Sequence, residues 1–496
     1  MLGWLKNMVA SWTSVGRRGI RASFDNISRD KRLDAYWANA DGLSARAANS
    51  PDVRKKFRDR TRYEYANNSY CQGCVLTIAN ELIGRGPRLQ MRLPGGNRDA
   101  NRLIERLWTD WGNAACFNEK LHCMAQAIVR DGEAPARMFF NPASRSKLQL
   151  DLDIFEADRL ATPWQTTFTP TELDGIRFDQ FGNPTQYSVL RYHPGDIFQF
   201  GNPAAHDWID ARWILHWYRA DRPGQVRGLP WISSCLGLFA QLRRWTLAVL
   251  TAAETAANFS AILYTEQSPE TDQAEPRDLI PITAGMLMSL PGNWKMDQFD
   301  AKQPQATYDA FKKELLKEIA RCLNMPFNVV TGDSSNYNYA SGRLDYQNWH
   351  RMLRVSRSHF ERTILEKIFS LWCEEVEVRG LLPSGLTAAD LPHGWFWDAV
   401  QHVDPVKDGT GDALALVNNT DTLANICAAQ GLDWEEVLEQ RSIEQSRMRE
   451  LGLTEMAVTS PKQAPQDLAQ EDMPQPPPKQ ASQRFWDHCL HESSKN

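Results

Sequence analysis

Apolar positions along the chain change their spacing several times. Residues 52–83 begin basic and turn helical: Tyr63 to Asn68 lead into Val75, Ile78, Ala79, Leu82 and Ile83, an i, i+3, i+4 stripe closed by Gly84 and Gly86. A second helix is predicted over Arg98–Trp111, carrying Leu103, Ile104, Leu107 and Trp108, and a third over Glu119–Arg130, stopped by Asp131-Gly132. The spacing then falls to two. Leu148, Leu150, Leu152 and Ile154 alternate with Gln149, Asp151 and Asp153, the mark of a half-buried strand over Lys147–Ile154. Ile176–Leu190 reads as a hairpin around Phe181-Gly182-Asn183-Pro184, and Asp210–Trp217 as a further strand before the turn Arg222-Pro223-Gly224.

From Pro230 the helical spacing returns. Proline opens a segment running to Phe259 whose one internal glycine is Gly237. Residues 260–306 are broken by prolines and glycines, with β character at each end. Thr307 is expected to cap a second helix with Phe311, Leu315, Ile319 and Leu323 on one face, ended by Met325-Pro326. A polar loop over 326–342 precedes the longest helix, 343–378, with Trp349, Met352, Leu353, Phe360, Ile364, Ile368 and Trp372 at heptad-like steps. Helices near 410–427 and 433–451 follow. The Pro/Gln-rich stretch after Met456 lacks the apolar content to order itself. The pattern as a whole predicts an α+β protein, predominantly α-helical.

Composition sharpens this picture. The 496 residues carry 56 basic and 61 acidic side chains, net −5, with 42% hydrophobic residues and 9 cysteines. That is enough chain for about three structural units. An odd number of scattered cysteines argues for reduced thiols and a cytosolic setting rather than a secreted disulfide scaffold. Charge is unevenly placed: residues 1–62 hold 14 Lys/Arg against 6 Asp/Glu, net +8, which leaves −13 for the remainder. A protein that wraps DNA non-specifically is normally basic. This acidic body is expected to meet nucleic acid, if at all, without gripping it.

Chemical signatures are scarce. Cys71-Gln72-Gly73-Cys74 has zinc-ligand spacing but no companion pair, so both thiols are expected to pack in the first helix. Asp151, Asp153, Glu156 and Asp158 suggest a carboxylate cluster, yet they alternate with apolar residues and lack a calcium-loop glycine; a solvated strand face is expected. The chain holds no phosphate-binding G-x-x-x-x-G-K-[ST], no G-x-S-x-G and no H-E-x-x-H. His193, His206, His216, His393 and His402 are expected to be structural. No catalytic residue, metal site or cofactor is assigned.

Two segments bear on membranes. Leu5, Met8, Val9 and Trp12 share a helical face followed by Arg17, Arg18 and Arg21; packing on the same protein is favoured over a surface-seeking role. Trp245–Tyr264 is interrupted by Glu254 and Asn258 and diluted by alanines, so no span and no stable membrane association are expected.

The ordered series of motifs resembles the lambda-type portal proteins of tailed bacteriophages, the head–tail connectors. It opens with Arg58-Asp59-Arg60-Thr61-Arg62-Tyr63-Glu64-Tyr65-Ala66-Asn67-Asn68 and Ile83-Gly84-Arg85-Gly86, and continues through Asp131-Gly132-Glu133, Glu156-Ala157-Asp158-Arg159-Leu160, Asp179-Gln180-Phe181-Gly182-Asn183-Pro184 and His193-Pro194. The most specific stretch is His216-Trp217-Tyr218-Arg219-Ala220-Asp221-Arg222-Pro223-Gly224-Gln225-Val226-Arg227-Gly228-Leu229-Pro230-Trp231. Gly332-Asp333, Asn338 to Arg343, Val403-Asp404-Pro405-Val406-Lys407 and Glu436 to Arg441 complete the order.

The resemblance implies a portal fold of wing, stem, clip, tunnel loop and crown. It also implies assembly into a ring of twelve copies at one capsid vertex, through which double-stranded DNA is packaged and ejected. The segments map in order: basic N-terminal arm 1–62, wing 63–229, first stem helix 230–259, clip 260–306, second stem helix 307–325, tunnel loop 326–342, long helix and crown 343–455, and a disordered tail 456–496. Asp333, Ser334, Ser335, Asn336, Tyr337, Asn338 and Tyr339 are the expected DNA-facing tunnel loop. Lys312, Lys313 and Lys317 are the channel-lining candidates of the stem, with pairing to Glu314 and Glu318 as the alternative. Glu270, Asp272, Glu275 and Arg277 are the clip residues expected to contact partners. Implied partners are the packaging ATPase (terminase large subunit), a head–tail adaptor, and the major capsid and scaffold proteins. The implied location is the portal vertex of the virion, assembled in the cytoplasm of a bacterial host. The arm is expected to hold scaffold or coat protein electrostatically, or to be removed by proteolysis. Readings from other classes are a nucleic-acid-processing enzyme with an unrecognised site, which would be monomeric or dimeric, and a membrane-associated scaffold, which would bind lipid.

Overall fold

The computed structural model describes residues 40, 42–94, 97–160, 171–196, 205–258, 262–265, 294–297, 305–335, 338–389, 391–398, 405–430 and 432–453. They fall into two compact units divided at 401/402. Clip candidates Glu270, Asp272, Glu275 and Arg277, as well as Asn336, Tyr337, His402, the Leu5–Trp12 stripe and the tail 456–496, lie outside the described residues.

The expected helical run to Ile83 is two helices, Pro51–Asn67 and Ser69–Ile83. Asn68 divides them: its extended backbone ends the first, and its side chain accepts the backbone N–H groups of Tyr70 and Cys71 to cap the second. The apolar stripe of the second helix is buried as its spacing predicts, and Cys71 and Cys74 pack in it. Helices Arg98–Ala114 and Phe117–Asp131 follow, and Gly132 in the left-handed region turns the chain directly into a strand.

The strands are β1 (Arg88–Met91), β2 (Glu133–Phe140), β3 (Leu150–Ile154), β4 (Glu172–Leu173), β5 (Ile176–Phe178), β6 (Pro184–Leu190), β7 (His206–Asp210), β8 (Ile214–Tyr218), β9 (Ile262–Thr265), β10 (Trp294–Asp297) and β11 (His393–Phe396). An antiparallel sheet in the order β3-β2-β8 backs onto the main core, and a four-stranded antiparallel meander β4-β5-β6-β7 stands beside it. The expected hairpin is β5–β6. The strand expected at Asp210–Trp217 is instead β7 and β8, split by a 3₁₀ turn at Ala211–Trp213 that the Asp210 side chain caps. Strand β1 pairs with β11, about 300 residues away along the chain.

Helices Leu236–Asn258 and Gln305–Cys322 run antiparallel. The rings of Trp245 and Phe311 lie 5.3 Å apart, Tyr308 reaches Thr246 at 3.4 Å, and Ser234 meets Cys322 at the base. Strands β9 and β10 carry the same pairing onward, Ile262 opposite Asp297 and Thr265 opposite Trp294. The two helices and two strands thus form one long hairpin. Its base is anchored by Phe239, Leu242, Leu316 and Ile319, all buried in the main core. Pro230 does not start the first helix: residues 231–235 are turns, with the Pro230 carbonyl taking Ser233 N–H, and the helix begins at Leu236. Nor does Thr307 cap the second, which begins at Gln305.

The expected polar loop holds a short helix, Phe327–Thr331, ended by Gly332 at φ 69°. The long helix starts earlier than 343. Asn338 caps it in a reciprocal box with Ser341, and it runs Tyr339–Phe360, then a π-helical stretch Glu361–Leu365, then Glu366–Val378. Its Trp372 and Phe369 join Trp108, Trp111, Phe117 and Trp395 in an aromatic core. The second unit holds helices Pro405–Val417 and Leu423–Ala429, where one helix was expected, and Trp434–Glu450.

Candidate functional site

Three places carry the chemistry: a buried charge network under the wing sheet, the hairpin, and the Gly332–Asn338 turn.

The network begins on the basic helix. Arg54, Arg58 and Arg62 repeat at i, i+4, i+8 and share one face of Pro51–Asn67. They do not stay free to bind another protein. Arg54 pairs with Asp174 and approaches Glu133 at 3.7 Å. Arg58 and Arg62 both hold Asp158, at 3.0 and 2.8 Å, and Arg62 also reaches Asp131 at 2.9 Å. The helix crosses the expected 62/63 boundary and is tied by these pairs to the sheets beyond it.

Glu133, first residue of β2, is fully buried. Its Oε2 accepts from Arg227 Nε at 2.6 Å and from His216 Nε2 at 2.8 Å. Burial pushes the Glu133 carboxyl up, but Arg227, His216 and Arg54 outweigh it and hold the group well below the usual carboxylate range. Burial pushes His216 down despite the Glu133 hydrogen bond, so the imidazole is neutral at pH 7. His216 is structural, as expected.

The acidic run is not a solvated strand face. Asp151 pairs with Lys120 and takes the Asn141 side-chain amide at 2.9 Å, and Asp158 is nearly buried between two arginines. Burial raises the Asp158 carboxyl, and Arg58 and Arg62 lower it further than that. Glu156, Asp158 and His193 lie close enough together to hold a metal ion. Their hydrogen bonding argues otherwise: Gly195 N–H donates to His193 Nδ1, which puts the ring proton on Nε2, 2.8 Å from Glu156, while Arg62 already occupies Asp158.

On the hairpin, Lys313 pairs with Asp309 at 2.8 Å and Lys317 with Glu314 at 2.6 Å, within their own helix. The partner of Lys313 is thus neither glutamate named from the sequence. Lys312 lies over the rings of Tyr70 and Tyr308. Leu247, Leu250 and Phe311 on the same two helices remain about half exposed. In the turn, Asp333 accepts Ser335 N–H at 2.9 Å, Asn328 donates to Ser334, and Asp333, Ser334, Ser335 and Asn338 all face solvent.

With this geometry in view, the chain matches the model of the phage portal proteins of the lambda family over residues 30–357, and it belongs to that family. It is 24% identical over 463 residues to the probable portal protein of Halomonas phage phiHAP-1, a match covering 86% of this chain and 87% of that protein. Among solved structures it is similar to a chain in the virion of a native gene transfer agent particle (14% identity, TM-score 0.45, 75% of this chain and 92% of that one). It is also similar to an HK97 family phage portal protein from Corynebacterium diphtheriae (10% identity, TM-score 0.28, 67% and 95%). The family is a structural one, built into the vertex of the virion, and is not an enzyme class. Among the described residues no helix is long and apolar enough to cross a membrane.

Proposed function

We propose that twelve copies of this chain close into a ring at one capsid vertex, forming the channel through which double-stranded DNA enters and leaves. The hairpin carries this reading. Its base is buried in the core, yet Leu247, Leu250 and Phe311 stand half exposed along its outer length. In a ring every such residue recurs beside a neighbour, which can cover it. Residues 236–258 and 305–322 act as the stem, and 260–306 as the clip, which meets the packaging ATPase and then the head–tail adaptor through Glu270, Asp272, Glu275 and Arg277.

An excess of acidic over basic groups beyond residue 62 suits a conduit. It repels phosphate and leaves DNA free to slide, where a basic bore would hold it. The exposed Gly332–Asn338 turn offers small polar groups at the narrowest point, braced by the Asn338 cap on one side and the Phe327–Thr331 helix on the other. Lys313 and Lys317, already held by Asp309 and Glu314, add only transient contact with passing phosphates.

Negative-stain imaging and native mass measurement of the purified chain test the proposal. Rings of about twelve copies with a central bore are expected; compact monomers or dimers without a channel refute it. Deleting residues 334–339 should impair DNA packaging or retention while rings still form. Full packaging and retention in that deletion would remove the turn from the mechanism.

A further inference from the structure

The base of the hairpin holds two thiols that the channel does not use. Cys235 immediately precedes the Leu236–Asn258 helix, and Cys322 is the last residue of Gln305–Cys322. The Ser234 hydroxyl lies 2.9 Å from Cys322 Sγ, and the buried Cys235 thiol sits beside the same sulfur as its hydrogen-bond neighbour. Cys322 is half-buried and lines a cleft of about 860 Å³ whose walls include Arg219, Lys317, Arg321 and Arg351. A small anionic reagent can therefore reach it.

We propose that Cys235 and Cys322 form a redox-closed link across the base of the hairpin, made by thiol–disulfide exchange with a low-molecular-weight disulfide such as oxidised glutathione. The two thiols are unlike. Hydrogen bonding from Cys235, helped by Ser234 and the nearby Arg219 charge, lowers Cys322 to about 6 against the effect of burial. The same hydrogen bond, together with burial, raises Cys235. Cys322 is therefore the attacking thiolate and Cys235 the resolving thiol.

In the first step the Cys322 thiolate attacks one sulfur of the reagent disulfide, forming a mixed disulfide and expelling one thiolate. In the second, Cys235 gives up its proton and attacks the Cys322 sulfur, and the second reagent thiol leaves. Two protein thiols are oxidised and one reagent disulfide is reduced to two thiols. Cys71 and Cys74, buried and pushed up to about 12, stay out of the exchange. The link joins residues 87 positions apart, so it fastens the whole hairpin in an oxidising medium and releases it in a reducing one.

Peptide mass spectrometry of the full chain, treated with oxidised glutathione and then alkylated, tests this. A Cys235–Cys322 linked peptide, removed by dithiothreitol, is expected to dominate the intramolecular products, with the exposed Cys116 and Cys123 as internal references. Cys322→Ser should leave Cys235 unmodified. Cys235→Ser should stall with glutathione on Cys322. Wild-type protein that accumulates glutathione on Cys322 without the link, or that reacts at Cys116 and Cys123 while Cys322 stays free, overturns the proposal; both outcomes are read on the unaltered chain, so no variant needs to fold.

Discussion

Replacing Glu133 by glutamine keeps its shape and removes the charge on which three buried groups depend. Arg227, Arg54 and His216 surround it, and Arg227 and Arg54 are almost wholly excluded from solvent. Removing one partner of a buried ion pair costs about 3–5 kcal/mol, because the other charge stays desolvated. Asp174 still faces both arginines, pairing with Arg54 and lying 3.7 Å from Arg227, so the lower end of that range, about 3 kcal/mol, is expected. Guanidinium unfolding at fixed protein concentration, read by tryptophan fluorescence, should show an earlier midpoint at unchanged slope. Trp217 on β8, paired with Ala134 on β2, reports from next to the site. Adding Arg227→Met to E133Q removes the stranded guanidinium, and the double variant should be more stable than the sum of the singles by about 1–3 kcal/mol. A loss below about 1 kcal/mol for E133Q, or strict additivity in the double variant, would refute the idea that these charges share one desolvation cost.

Two further outcomes follow from the same region. A Cβ on Gly228 would meet the Gly132 carbonyl oxygen at 2.0 Å, backbone against backbone, so Gly228→Ala should cost about 3 kcal/mol or more in a thermal-shift assay. Gly237→Ala, with open space around it in a helix, should instead be neutral or stabilising by about 0.5–1 kcal/mol. Acid should destabilise the fold in two stages. His216, His350 and His359 are all lowered, chiefly by burial, so the unfolded chain binds protons first as pH falls below about 6.5. Glu133, Asp151 and Asp158 are lowered too, and their share of stability goes below about pH 4. A melting temperature flat from pH 7 to 3 would contradict both stages.

Local patterns were readable from the chain wherever local physics decides them. The Val75–Ile83 stripe, the β5–β6 hairpin and the helices of the long hairpin all follow from apolar spacing and turn residues. Strand β2 escaped because both its faces are largely buried, so Glu133-Ala134-Pro135-Ala136 shows no alternation and opens with a charge and a proline. Arg54, Arg58 and Arg62 looked like a solvated basic arm because their partners lie roughly 70 to 120 positions away. Their recurrence every fourth residue on one helical face was the available clue, since a merely adhesive basic stretch needs no such phase. The pairing of β1 with β11 had no local signal at all. For the turn after Gly332, composition marked the segment, but its capping geometry depended on Asn338 and Ser341 acting as a pair.

The π-helical stretch at Glu361–Leu365 has an evolutionary and engineering consequence. One surplus residue is absorbed there, inside a rod of 40 residues from Tyr339 to Val378. Excising a single residue from 361–365 would restore ordinary helical winding while Trp349 and Trp372 keep their orientations. The same excision elsewhere along the rod would rotate one tryptophan relative to the other by about 100°. This segment is therefore where length variation among relatives can be accommodated without repacking the interior.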